Sequence, residues 1–133
     1  MSTRNVKAAA KLKLKTHVKT RHGEEMEVTQ AKIAYWFRII NVAVFNGTLP
    51  PPRIEIGVNM RKYWGLCTPM GKSFSGNANI KISDRITNRK LFISTVAHEM
   101  VHQYQWLTYG NMHHGDSYKK WSRYFKANFG FYL

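Results

Sequence analysis

Ser94-Thr95-Val96-Ala97-His98-Glu99-Met100-Val101-His102-Gln103-Tyr104-Gln105-Trp106 is the stretch on which the reading of this chain turns. It contains His-Glu-x-x-His. On a helix, residues i and i+4 lie about 40° apart around the axis and roughly 6 Å along it, so His98 and His102 can aim two imidazoles at one ion. Zinc accepts such nitrogens at about 2.0–2.1 Å and lowers the pKa of water it holds to about 7. Glu99 directly follows the first histidine, where a carboxylate can take a proton from that water.

The flanks read as helix. Leu91, Phe92, Thr95, Val96, Met100 and Leu107 supply an apolar surface, and no Gly or Pro interrupts from Arg85 to Tyr109. Thr87 or Asn88 can cap the start, and Gly110-Asn111 ends it. The plain alternative is a buried helix with two incidental histidines. Further histidines downstream favour the metal.

A third ligand must come from elsewhere. The extended pattern His-x-x-Gly-x-x-His fails, because Gln105 and Thr108 stand at the required positions. A distal glutamate fails too, since no Glu follows Glu99. His113, His114 and Asp116 remain, in Asn111-Met112-His113-His114-Gly115-Asp116-Ser117-Tyr118. A loop after Leu107 can fold back to present one of them, and Asp116 or Ser117 can cap a last helix.

His98-Glu99-x-x-His102 followed by His114-Gly115-Asp116-Ser117-Tyr118 resembles the SprT-like metalloprotease family, which includes Spartan. Phe45-Asn46-Gly47-Thr48-Leu49-Pro50 is similar to the family's F-N-x-x-L-P segment, and Ile80-Lys81-Ile82-Ser83 to its strand before the active-site helix. The likeness runs from about Ala31 to Ala127. It implies His98, His102 and His114 as zinc ligands, with His113 second to His114, and Glu99 as general base. It also implies substrates that are proteins bound or crosslinked to DNA, hence a role in DNA repair.

Composition bounds the rest. The 133 residues carry a net charge of +14, with 44% hydrophobic and 14% aromatic residues. This fits one globular domain with a sizeable core. The field favours polyanions, nucleic acid above all. The single cysteine, Cys67, excludes an internal disulfide framework and a cysteine-based zinc module, and fits a buried, inert thiol in a reducing compartment. No signal peptide or membrane-length apolar run is visible, so a cytoplasmic, nucleoid or nuclear protein is expected.

Residues 1–24 read as a flexible basic tail ahead of a domain at 25–133. Arg4, Lys7, Lys11, Lys13, Lys15, Lys19 and Arg21 precede the first acid, Glu24, and form a candidate nucleic-acid arm. Ala8-Ala9-Ala10 can turn helical against phosphates, but alone the segment is expected to be mobile. His17 and His22 read as exposed bystanders.

Ile33, Trp36, Phe37, Ile40 and Val44 recur at helical spacing after a capping Thr29, and Asn46-Gly47 stops the run. Arg53–Val58, Tyr63–Thr68 and Asn77–Ser83 read as strands, with Ile54, Ile56 and Val58 on one face of the first. Gly71–Gly76 reads as a hairpin turn or loop, not a phosphate loop, because the upstream glycine is absent. Ser117–Asn128 is an amphipathic helix, with Lys119, Lys120, Arg123 and Lys126 opposite its aromatic residues.

The expected fold is α+β, a small, mostly antiparallel sheet packed on a zinc-bearing helix and two further helices, in the manner of a minimal zincin. The expected function is a zinc endopeptidase binding DNA without sequence preference, monomeric and not membrane-bound. Tyr109 and Tyr118 are candidates for stabilising the oxyanion. The competing class is a non-catalytic nucleic-acid binder with a structural or regulatory zinc. A metal-dependent nuclease fits less well, since such sites rely on carboxylates.

Overall fold

The computed structural model describes residues 3–19, 26–71 and 76–133. The elements run α1 (Thr3–Val18), α2 (Gln30–Phe45), β1 (Arg53–Gly57), β2 (Gly65–Pro69), β3 (Ala78–Ser83), α3 (Arg89–Tyr109) and α4 (Asp116–Phe129). The architecture is α+β.

Helix ends follow local chemistry. Thr29 accepts a hydrogen bond from Lys32 N–H at the start of α2, and Asn88 accepts one from Leu91 N–H at the start of α3. Gly110 closes α3 at φ 73°, a left-handed conformation that glycine adopts without strain. No side chain caps α4: Gly115 holds that position, where Asp116 or Ser117 was expected.

The sheet has the order β1-β3-β2. β2 and β3 form an antiparallel pair, with Cys67 opposite Ile80, while β1 runs parallel to β3, with Ile54 opposite Ile80. The sheet is therefore mixed, where a mostly antiparallel one was expected. Alternation along a strand tells which face is buried; it says nothing of the neighbour's direction. Val58 lies beyond β1 and is exposed, unlike Ile54 and Ile56. Residues 72–75, within the expected turn, lie outside the described residues.

Ile80 and Ile82 of the central strand meet Phe92, Ile93, Val96 and Met100 of α3 in the core, together with Ile33, Phe37 and Ile40 of α2. Two buried amides fix the connection between α2 and β1. Asn41 donates to Leu49 O and accepts from Leu49 N–H, and Gln103 Nε2 donates to Pro50 O at 2.8 Å and Asn77 Oδ1 at 2.9 Å. Phe45–Pro50 is thereby tied to both α2 and α3.

The expectation of a flexible tail is corrected for Thr3–Val18. This segment is a helix whose Ala10, Leu14 and Val18 join the buried core. Their i, i+4, i+8 spacing forms an apolar stripe, and burying it removes the freedom that lysine density alone seemed to promise. Lys7 donates to Asn46 Oδ1, and Lys13 lies 5.5 Å from the centre of the Tyr35 ring. His17 packs on Trp36 rather than standing free in solvent. Arg21 and His22 lie outside the described residues.

Candidate metal centre

α3 presents His98 and His102 one turn apart, and the segment between Gly110 and α4 returns His114 to them. Nε2 of His102 lies 3.1 Å from Nε2 of both His98 and His114. Two imidazole nitrogens on one tetrahedral zinc would stand roughly 3.3 Å apart. These three residues form the only potential metal-holding cluster among the described residues. His113 contributes no side-chain atom to it, and neither does Asp116.

The outer ring nitrogens are already engaged. Gln105 Nε2 donates to the carbonyl of His113 at 2.8 Å, and Gln105 Oε1 lies 2.8 Å from His102 Nδ1. A carbonyl can only accept, so the amide nitrogen must face His113 and the amide oxygen must accept from His102 Nδ1–H. His102 therefore offers a bare Nε2 lone pair to the centre. The Tyr118 hydroxyl sits 3.0 Å from His98 Nδ1 and fixes the second ring. Such outer partners are what metal-ligating histidines commonly have. The residues present fit a metal ion.

Electrostatics agree. Burial holds His98 down to about 4, helped by His102 and His114. Burial likewise lowers His102 against the raising effect of its bond to Gln105. Both rings are thus neutral, the form a metal binds. Glu99 is buried, and burial pushes its carboxyl up to about 8. Its Oε2 stands 4.0 Å from His98 Nε2; with His98 neutral, that contact is no ion pair.

Gly65 of β2 explains how Glu99 fits. A Cβ at this position would lie 2.7 Å from both Glu99 Oε2 and Thr95 Cγ2. Only a residue without a side chain lets the strand approach so closely. Among the described residues β2 is an edge strand, paired with β3 on one side. Beside it a cleft of about 440 Å³ is lined by His98, Glu99, Gly65, Trp64, Leu91 and Tyr132, among others. Cys67 is half-buried, its thiol pushed up by burial and then by Glu99.

Of the two tyrosines considered, Tyr118 is at the centre, whereas Tyr109 is half-exposed and packs on Tyr104. Arg4, Lys7, Lys11, Lys13 and Lys15 lie on α1, and Lys19 follows it; none belongs to the metal cluster. Sequence reasoning passed over Gln105, Gln103 and Gly65. Gln105 sits at i+3 from His102, a detectable position, but nothing local showed that the amide would meet the carbonyl of His113. Among the described residues no helix is long and apolar enough to cross a membrane.

No curated protein matches the chain. Residues 33–132, from within α2 to beyond α4, match the SprT-like family, leaving α1 outside the matched span. On that match, carried over most of its length and including the histidine cluster, the chain belongs to the SprT-like family.

Proposed function

We propose that this chain is a zinc-dependent endopeptidase acting on proteins bound or crosslinked to DNA. The observation that carries the reading is the buried Glu99 carboxylate beside three convergent histidine nitrogens, in a cleft open along a strand edge. His98, His102 and His114 would hold the zinc, which when bound supplies Lewis acidity toward a carbonyl and toward water.

The chain's own residues do the rest. The free edge of β2 offers backbone donors and acceptors to an extended segment of substrate. Glu99 receives the proton of the attacking water on its carboxylate and returns it to the departing amine nitrogen. Burial raises the carboxyl's affinity for that proton. Gln105 and Tyr118 keep the imidazoles aimed, and Gly65 leaves the carboxylate room.

The DNA partner is supported by charge. Arg4, Lys13, Lys15 and Lys19 are exposed on or beside α1, as are Lys119, Lys120 and Arg123 on α4. The decisive experiment incubates a DNA-bound protein with wild type and with Glu99→Gln at equal zinc content, with and without DNA and chelator. Cleavage by wild type alone, abolished by chelator and stimulated by DNA, is expected. No cleavage of several such substrates overturns the enzymatic reading in favour of a non-catalytic binder.

A further inference from the structure

α4 has two working sides. Tyr118 reaches His98, while Ser117, Lys120, Trp121 and Tyr124 line a separate cavity of about 470 Å³, closed by Tyr104 and Tyr109 of α3. Nothing in the proposed peptide chemistry uses this cavity. Its rings meet edge to face: Tyr104 and Trp121 at 5.3 Å with planes 73° apart, Trp121 and Tyr124 at 5.7 Å and 81°, Tyr104 and Tyr109 at 6.3 Å and 80°. Edge-to-face contacts set the rim of one ring on the face of the next, so the ring surface left free is chiefly that of half-exposed Tyr109.

The charge around the cavity selects its occupant. Lys120 lines it, and Lys119 and Arg123 stand exposed on neighbouring positions of α4. Among the described residues none of these three has a carboxylate within ion-pair distance, and Asp116 is the one acid on the helix. An exposed tyrosine ring beside exposed cations matches a flat π-system joined to a phosphate. We propose that this cavity is a stacking site for an unpaired nucleobase of single-stranded nucleic acid, with Lys120, Lys119 and Arg123 on the adjoining phosphates. A duplex keeps its bases stacked and inaccessible to such a pocket, so the site selects single strands. A strand seated there lies against the helix that also carries Tyr118 to the metal centre.

The inference rests on the nucleic-acid part of the proposed function and is independent of turnover. The test compares binding of an oligothymidylate with binding of an equally long abasic oligomer at fixed salt. Wild type should prefer the base-bearing strand by about 5- to 150-fold, the range for stacking on one aromatic platform. Tyr109→Ala, at a half-exposed position, should shrink that preference while leaving the salt slope and the melting curve unchanged. Tyr109→Trp should retain the preference. Lys120→Gln should instead lower the slope of log K against log salt by about 0.7.

Equal binding of both oligomers by wild type overturns the pocket and leaves the nucleic-acid reading standing. Equal loss of both on Tyr109→Ala, or a base preference that Tyr109→Ala leaves intact, also overturns it. Failure of wild type to bind any oligomer overturns the pocket and the nucleic-acid reading together.

Discussion

α1 and α3 are both anchored in the core, by opposite means. α3 carries Glu99 as its single acid and only Arg89 and Lys90 as strong bases; its middle is enclosed on nearly every side. α1 has no acid at all and is dense in lysine, with a narrow stripe of Ala10, Leu14 and Val18 attaching it to the body. The first holds the polar groups of a site inside the fold. The second uses an apolar stripe to display charge outside it. Attachment of a helix to the core and polarity of its sequence are thus separable quantities.

The comparison breaks most sharply at the metal. His102→Ala should eliminate metal retention and with it activity and much of the stability, because metal binding is coupled to folding. Metal analysis and a melting curve check this, and retention of one zinc per chain by the variant would remove His102 from the ligand set. His114→Ala should behave alike and His113→Ala mildly.

On the other helix, Leu14→Ala should cost about 2–5 kcal/mol, as for a fully buried leucine. Denaturant titration reads this. A loss below ~0.5 kcal/mol, the usual bound for surface substitutions, would return α1 to the status of a loose arm.

Glu99→Gln separates chemistry from structure within α3. It should keep zinc and fold while slowing cleavage by at least about 100-fold, equivalent to roughly 2.7 kcal/mol. Equal cleavage rates would assign the proteolysis to another site.

A smaller effect appears in metal-free protein. Glu99 is raised from 4.5 to about 8, so the folded state holds a proton that the unfolded state releases, and stability falls as pH rises through that window. His98 is lowered from 6.5 to about 4, so its contribution runs the other way, being lost as pH falls below 6.5. The two slopes oppose each other below 6.5. Between 6.5 and 8, Glu99 acts against no such slope from His98. Chelated protein should therefore lose about 1–2 kcal/mol over that interval, and chelated Glu99→Gln should lose far less. Melting at the two pH values decides it.

The smallest effect belongs to single charges on α1. Lys15→Gln should lower the slope of log K for duplex DNA against log salt by about 0.9 without changing stability. An unchanged slope would show that Lys15 touches no phosphate.

These differences also explain what the sequence made legible. The pattern His98-Glu99-x-x-His102 is local, and local geometry on a helix fully determines which side chains share a face. α2, its Thr29 cap and the strand faces follow from the same short-range rules. The parallel direction of β1 does not, because it depends on a long connection. α1 was misread because three apolar residues at every fourth position are a weak signal beside so many lysines. Gln105 and Gly65 acquire their roles only through contact with residues from other elements, so no window of sequence shows them.

Gly65 carries a consequence for how this domain can change by mutation. It opens β2, where the missing side chain is what lets the strand lie against α3. Gly65→Ala, stabilising where a site has room for it, finds no room at this one. The added methyl would collide with the methyl of Thr95, which has little freedom to yield, and push the Glu99 carboxylate from its place. The domain would lose stability and the placement of its carboxylate together, with all three clustered histidines intact, a cost concentrated in one methyl group.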